Sequence, residues 1–220
     1  MFFTNRWKTA KIQRESLITH CAPGSKISEQ FRMIRTNFQS TAIDWNKKIF
    51  LITSPKCKEG TTTITTNLAI SLAQQGERVL VIDANLRKPK LHMIFDFENR
   101  IGLTNILNRE STLEEVVIPT EIDGLYALTS GVTSFNPAEL LNSAMMEGVL
   151  RKVINEYDFV LLDSSPVLEV TDTRILANLC DGIVLVLSVN RTTSAEVLKV
   201  KKILSSARGK VEGIILNRTV

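Results

Sequence analysis

A chain of 220 residues with 44% hydrophobic and 23% charged residues has the size and make-up of one α/β domain, which excludes disordered, collagenous and rod-like chains. Its net charge of +4 is uneven: residues 1–48 hold nine Lys or Arg against three acidic residues (+6), and the rest hold 18 against 20 (−2). Apolar runs stop well short of the ~20 residues that span a bilayer, and Arg6, Lys8 and Lys11 interrupt any signal-peptide core, so a soluble, cytoplasmic chain is expected.

The basic residues 1–44 read as an N-terminal arm ahead of a body spanning 45–220. The arm's charge suits either an anionic membrane face or a solvated helix face, and without interleaved aromatics it does not suggest nucleic acid. Within the arm a helix is expected over about 28–40, with Ser28 as N-cap and Glu29 in its first turn. Glu29, Arg32 and Arg35 are spaced by three and share one face, either a salt-bridged surface or a subunit contact.

From residue 48 onward, short β-branched runs alternate with 3.6-period segments. Strands are expected at 49–53, 78–83, 124–128, 159–163, 182–189 and 211–216, with helices at 66–73, 138–156, 172–179 and 193–207. Consecutively apolar strands are buried on both faces, as in parallel sheets, so a doubly wound, mostly parallel α/β domain follows. Cys21, Cys57 and Cys180 lack paired spacing and His20 and His92 stand alone, so neither a disulfide framework nor a zinc site is expected.

In such a sheet the ligand crevice lies beyond the C-terminal strand ends. Three segments fall there: Ser54-Pro55-Lys56-Cys57-Lys58-Glu59-Gly60-Thr61-Thr62-Thr63, then Asp83-Ala84-Asn85-Leu86-Arg87-Lys88-Pro89, and Asp163-Ser164-Ser165-Pro166. A loop–helix junction with hydroxyls, faced by carboxylates on neighbouring strands, suits phosphate and magnesium. Arg87 and Lys88 are placed to meet a phosphate, to meet an acidic partner, or to cap the crevice rim. Asp172 is expected as a helix N-cap, and Tyr126 and Tyr157 as packing residues.

These segments, with Glu29-Gln30-Phe31-Arg32-Met33-Ile34-Arg35, Asn136-Pro137-Ala138-Glu139-Leu140-Leu141 and the stretch from Asp163 to Asp172, resemble the cytoplasmic domain of bacterial tyrosine kinases of capsule and exopolysaccharide synthesis. That family is a branch of the deviant P-loop ATPases, so the resemblance implies a P-loop NTPase fold that binds ATP or ADP with Mg2+. It implies nucleotide contacts from Lys56, Lys58, Gly60, Thr61, Thr62, Thr63 and Asn217, and magnesium held by Thr62, Asp83 and Asp163. Asp83 and Asp163 would be the catalytic carboxylates, Asp83 accepting the tyrosine proton. Glu29, Arg32 and Arg35 would assemble a homo- or hetero-oligomeric ring. The implied partners are a membrane polysaccharide co-polymerase adaptor and a tyrosine-bearing substrate, at the inner face of the plasma membrane.

The chain departs from that pattern in ways that bear on activity. Thr61 stands where the P-loop lysine belongs, Lys56 and Lys58 stand at small, flexible positions, and Asn85 replaces an acidic residue. A tyrosine-rich tail is absent from this sequence, whose only tyrosines are Tyr126 and Tyr157. The P-loop lysine offsets charge on the β- and γ-phosphates, which threonine is too short and uncharged to do. Two expectations follow: a kinase with impaired autophosphorylation, with Lys56 or Lys58 as substitute cation, or a catalytically silent adaptor-binding subunit.

Overall fold

Strands β1 (Ile49–Thr53), β2 (Val79–Asp83), β5 (Phe159–Asp163) and β6 (Gly182–Ser188) are buried at every residue, as a sheet covered on both faces requires. A computed structural model describes residues 16–44 and 47–218. The basic residues 1–15 of the expected arm lie outside the described residues. The sheet has seven strands in the order β3-β4-β2-β5-β1-β6-β7, completed by β3 (Ile118–Pro119), β4 (Leu125–Leu128) and β7 (Lys210–Asn217). Every pairing is parallel except β3 with β4. Pro119, which has no N–H to donate, sits on that edge strand, where the loss matters least.

Two apolar layers flank the sheet. One joins alternate strand residues such as Phe50, Ile52 and Val81 to α2 (Lys26–Asp44) and α3 (Thr61–Ala73). Residues 64–73 of α3 are all buried, because α2 and the short α1 (Ile18–Cys21) cover its outer side. Phe38 of α2 packs on Phe50 and Phe159, with ring centroids 4.3 and 5.6 Å apart. The other layer joins Leu51, Leu80 and Leu162 to α5 (Leu103–Leu107), α6 (Leu113–Val116), α7 (Pro137–Leu141), α8 (Ala144–Val153), α9 (Asp172–Leu179) and α10 (Ser194–Leu204). Helix α4 (Leu91–Phe95) follows β2 on the first face.

Some expected boundaries are corrected. The N-terminal helix runs from Lys26 to Asp44 rather than 28–40, and Ser28 is buried within it. Ser25 Oγ accepts the Ser28 amide at 3.1 Å, while the Ser28 hydroxyl donates to the Ala22 carbonyl at 2.6 Å. The 138–156 segment is two helices. Ser143 separates them, donating to the Leu140 carbonyl at 2.7 Å and accepting from the Met146 amide at 3.3 Å. Asp172 is not an N-cap: Thr171 holds that position, and Asp172 is a fully buried first-turn residue.

Candidate functional site

The C-terminal ends of the strands open into a cavity of about 460 Å³, walled by the β1–α3 loop, the loop after β2 and the loop after β5. Lys58, Gly60, Thr61, Thr62 and Thr63 contribute to one wall, and Asn85, Arg87 and Lys88 to the facing one. Helix α3 begins at Thr61, so its N-terminal turn points into this space, where unpaired backbone N–H groups and the helix dipole favour an anion.

The loop shape rests on two left-handed residues, Lys58 at φ +62° and Gly60 at φ +86°. A Cβ on Gly60 would lie 2.3 Å from Asn217 Nδ2, which instead donates to the Glu59 carbonyl at 2.9 Å. Lysine carries a Cβ into this left-handed region at about 1–2 kcal/mol, a cost glycine avoids. The Thr61 hydroxyl donates to Ser54 Oγ at 3.0 Å, and Ser54 in turn to the Lys56 carbonyl at 2.8 Å. Thr61 therefore ties the base of the loop and brings no charge to it.

The two loop lysines diverge. Lys56 turns out of the cavity to Glu196 Oε1 at 2.9 Å and the Arg191 carbonyl at 3.2 Å. Lys58 stays on the cavity wall. Glu196 is held below the usual carboxylate range, at about 2, by the Thr193 amide and by Lys56. Glu59 is buried, accepts from the Thr192 hydroxyl at 2.9 Å, and has its carboxyl raised by burial.

Asp83 and Asp163 end adjacent strands as direct register partners and are almost wholly buried. Asp83 accepts three backbone amides: Asn85 at 3.2 Å on Oδ1, and Lys90 and Leu91 at 2.9 Å on Oδ2. Burial pushes the Asp83 carboxyl up, against the pull of those amides. Asp163 is pushed well above its ordinary value, first by burial and then by the Asp83 charge. Its Oδ1 is buried with no hydrogen-bond partner. A carboxylate that the Thr62 side chain meets and that keeps one buried oxygen unpartnered suits a hard divalent cation, so these residues fit magnesium. Among the described residues no group of three or more His, Cys, Asp and Glu forms an all-protein metal site. A magnesium here would complete its shell with phosphate and water.

Asn85 ties the loops after β2 and β5 together without bringing a charge: its Oδ1 accepts from Ser165 Oγ at 2.8 Å and from the Lys88 amide at 3.2 Å. Arg87 pairs with buried Asp172 through two bonds of 2.8 and 3.0 Å at the cavity rim. The pairing fixes Arg87 where it lines the cavity. Tyr126 and Tyr157 pack edge to face at 5.3 Å, with Arg78 5.7 Å from each ring centroid.

The helical stripe lies elsewhere. Glu29 and Arg32 pair through Nε at 2.9 Å and Nη2 at 2.6 Å on the exposed side of α2. Arg35 instead turns inward, donating to the Ser71 carbonyl at 2.7 Å near the far end of α3. Sequence reasoning missed Arg191, Thr192 and Glu196, although the capping-box pattern Thr193-x-x-Glu196 at the start of the expected 193–207 helix could have singled out Glu196.

Comparison with known proteins agrees with this architecture. A family model described as an AAA domain matches residues 47–208. The chain is 41% identical over 208 residues to tyrosine-protein kinase YwqD of Bacillus subtilis, covering 94% of this chain and 87% of that one. It is 37% identical to the putative tyrosine-protein kinase CapB of Staphylococcus aureus, over 92% of this chain and 89% of the relative. The solved chimerical protein CapA2B2 superposes with a TM-score of 0.89 at 37% identity, covering 93% and 90% of the two chains. The strand order, the loop–helix junction with its two carboxylates and the near full-length identity together make this chain a member of the bacterial tyrosine-protein kinase family, with the P-loop NTPase fold.

Proposed function

We propose that this protein is the cytoplasmic tyrosine-kinase-type component of a capsule or exopolysaccharide export system, that it binds ADP or ATP with Mg2+ in the cavity, and that its phosphoryl transfer is impaired. The observation carrying the last part is Thr61, an uncharged residue bonded to Ser54 where the family's lysine would meet the phosphates. With Lys56 held by Glu196, Lys58 is the loop cation left on the cavity wall, and it takes the role of phosphate counter-charge.

In this reading Asp163 and Thr62 hold the magnesium, and Asp83 stands behind them. Bound magnesium supplies charge neutralisation to the phosphates. Thr61 and Thr63 border the phosphates beside Gly60, and the Asn217 side-chain oxygen is left for the adenine amino group. Asp83, with both oxygens occupied by amides, neither takes the tyrosine proton nor meets the metal as the resemblance implied, and instead positions Asp163, the carboxylate with an unpartnered oxygen. Glu29 and Arg32 provide the exposed subunit contact of a ring. The partners are a membrane co-polymerase adaptor and a tyrosine-bearing protein phosphorylated in trans, at the inner face of the membrane.

Calorimetric titration with Mg-ADP tests this, with Thr61→Lys as comparison. A restored charge-assisted bond to phosphate contributes about 1.5–3 kcal/mol, so the variant binds roughly 10- to 150-fold more tightly. Equal affinity of the two proteins would remove the impairment argument. The same Thr61 favours a second reading, a silent docking subunit. Absence of tyrosine labelling on a tyrosine-rich peptide, even at saturating Mg-ATP, would select it.

A further inference from the structure

The loop after β6 grips the β1–α3 loop from outside the cavity. Arg191 Nη1 donates to the Lys58 carbonyl at 2.9 Å, and the Arg191 carbonyl receives Lys56 Nζ at 3.2 Å. Two residues of one loop and one residue of the other thus close a small ring of reciprocal bonds. Next to it the Thr192 hydroxyl donates to Glu59 Oε1 at 2.9 Å, and Lys56 meets Glu196 at 2.9 Å. Glu196 is itself fixed to the start of α10, accepting the Thr193 amide at 2.9 Å and its hydroxyl at 3.0 Å. The residue whose carbonyl Arg191 grips is the one with the unfavourable backbone, Lys58 at φ +62°.

We propose that Arg191 is a positioning residue for nucleotide binding: it holds Lys58 in a left-handed conformation that glycine would adopt unaided, and so keeps the loop in the shape that lines the cavity. The inference deepens the nucleotide reading above and rests on it. Planar, permanently charged guanidinium suits the task, since one fixed donor meets one carbonyl while the backbone of the same residue is tied by Lys56. Arg191 is exposed and belongs to neither apolar layer, so its removal leaves the core intact.

A double-mutant cycle decides the matter. Arg191→Ala, Lys58→Gly and the double variant are compared with the parent in two measurements. One is hydrogen exchange of the backbone amides of residues 56–60 without ligand, and the other is Mg-ADP affinity by calorimetry. Arg191→Ala is expected to speed exchange in the loop and to weaken Mg-ADP binding, each by about 5- to 30-fold, the factor equivalent to the left-handed penalty. In the Lys58→Gly background the same Arg191→Ala change is expected to alter both by less than about twofold, because glycine carries no such penalty. An Arg191→Ala effect on affinity of equal size in both backgrounds would mean that Arg191 acts through its charge on the ligand, and would overturn the proposal. Unchanged loop exchange in Arg191→Ala would overturn it as well. If the parent binds no Mg-ADP, the nucleotide reading fails while the exchange cycle still decides whether Arg191 holds the loop.

Discussion

Asp83→Asn is expected to stabilise the protein at neutral pH and to lose that effect at acidic pH. Burial raises the Asp83 carboxyl from an ordinary 3.8 to about 6, and the side chain is fully buried, so no solvent screening discounts the effect. A raised folded-state value means stability fully present below the unfolded value and lost as pH rises through about 6. At pH 7.5 the parent has therefore lost about 3 kcal/mol that the neutral amide does not lose. Against this, an asparagine that keeps its oxygen on the Lys90 and Leu91 amides turns its nitrogen to the Asn85 amide, forfeiting that bond at about 1 kcal/mol. The net expectation is about 2 kcal/mol of stabilisation at pH 7.5, or roughly 4–8 °C in Tm for a chain of this size. By pH 4 most of the gain is gone, and the lost bond offsets what remains, so that variant and parent are about equally stable. Differential scanning calorimetry at the two pH values, without magnesium or nucleotide, reads both. A stabilisation at pH 4 as large as that at pH 7.5 would refute the assignment of buried charge to Asp83.

Arg87→Ala should cost about 1.5–3 kcal/mol in urea unfolding, more than Asp172→Ala, because it strands a fully buried carboxylate while the guanidinium reaches solvent. Leu68→Ala, in the buried middle of α3, should cost about 2–5 kcal/mol in the same assay. Arg32→Ala should lower the mass seen by light scattering while moving stability by less than about 1 kcal/mol, since its Glu29 pair is exposed. An unchanged mass would remove α2 as the subunit contact.

The strands at 49–53 and 159–163 were legible to the residue, because burial on both faces leaves an unbroken apolar run that ends at a polar residue. Residues 91–119 were not legible. They hold α4, α5, α6 and β3, each only two to five residues long and too short for a periodicity to register. Ser28 misled because a serine before an apolar-periodic run has the pattern of an N-cap, while its actual partners, the Ile18 and Ala22 carbonyls, depend on how α1 folds back. At the site, the three loops and both aspartates could be found from strand-end position alone. The opposite fates of Lys56 and Lys58 could not, because Glu196 and Arg191 lie more than a hundred residues away in the chain.

The strand order has a consequence for how the chain reaches this state. Neither neighbour of β1 is β2: β1 pairs with β5 and β6, whose residues follow it by more than a hundred positions. The sheet centre thus closes only after a long loop has been drawn in, the kind of topology that folds slowly. A ribosome delivering roughly 5–20 residues per second leaves the apolar edges of β1 and β2 waiting for β5 over several seconds. Until Phe159–Asp163 slots between them, the two strands that carry the β1–α3 loop and Asp83 present unpaired apolar edges to the rest of the nascent chain. Shielding during synthesis therefore falls in part on the segments that later form the site.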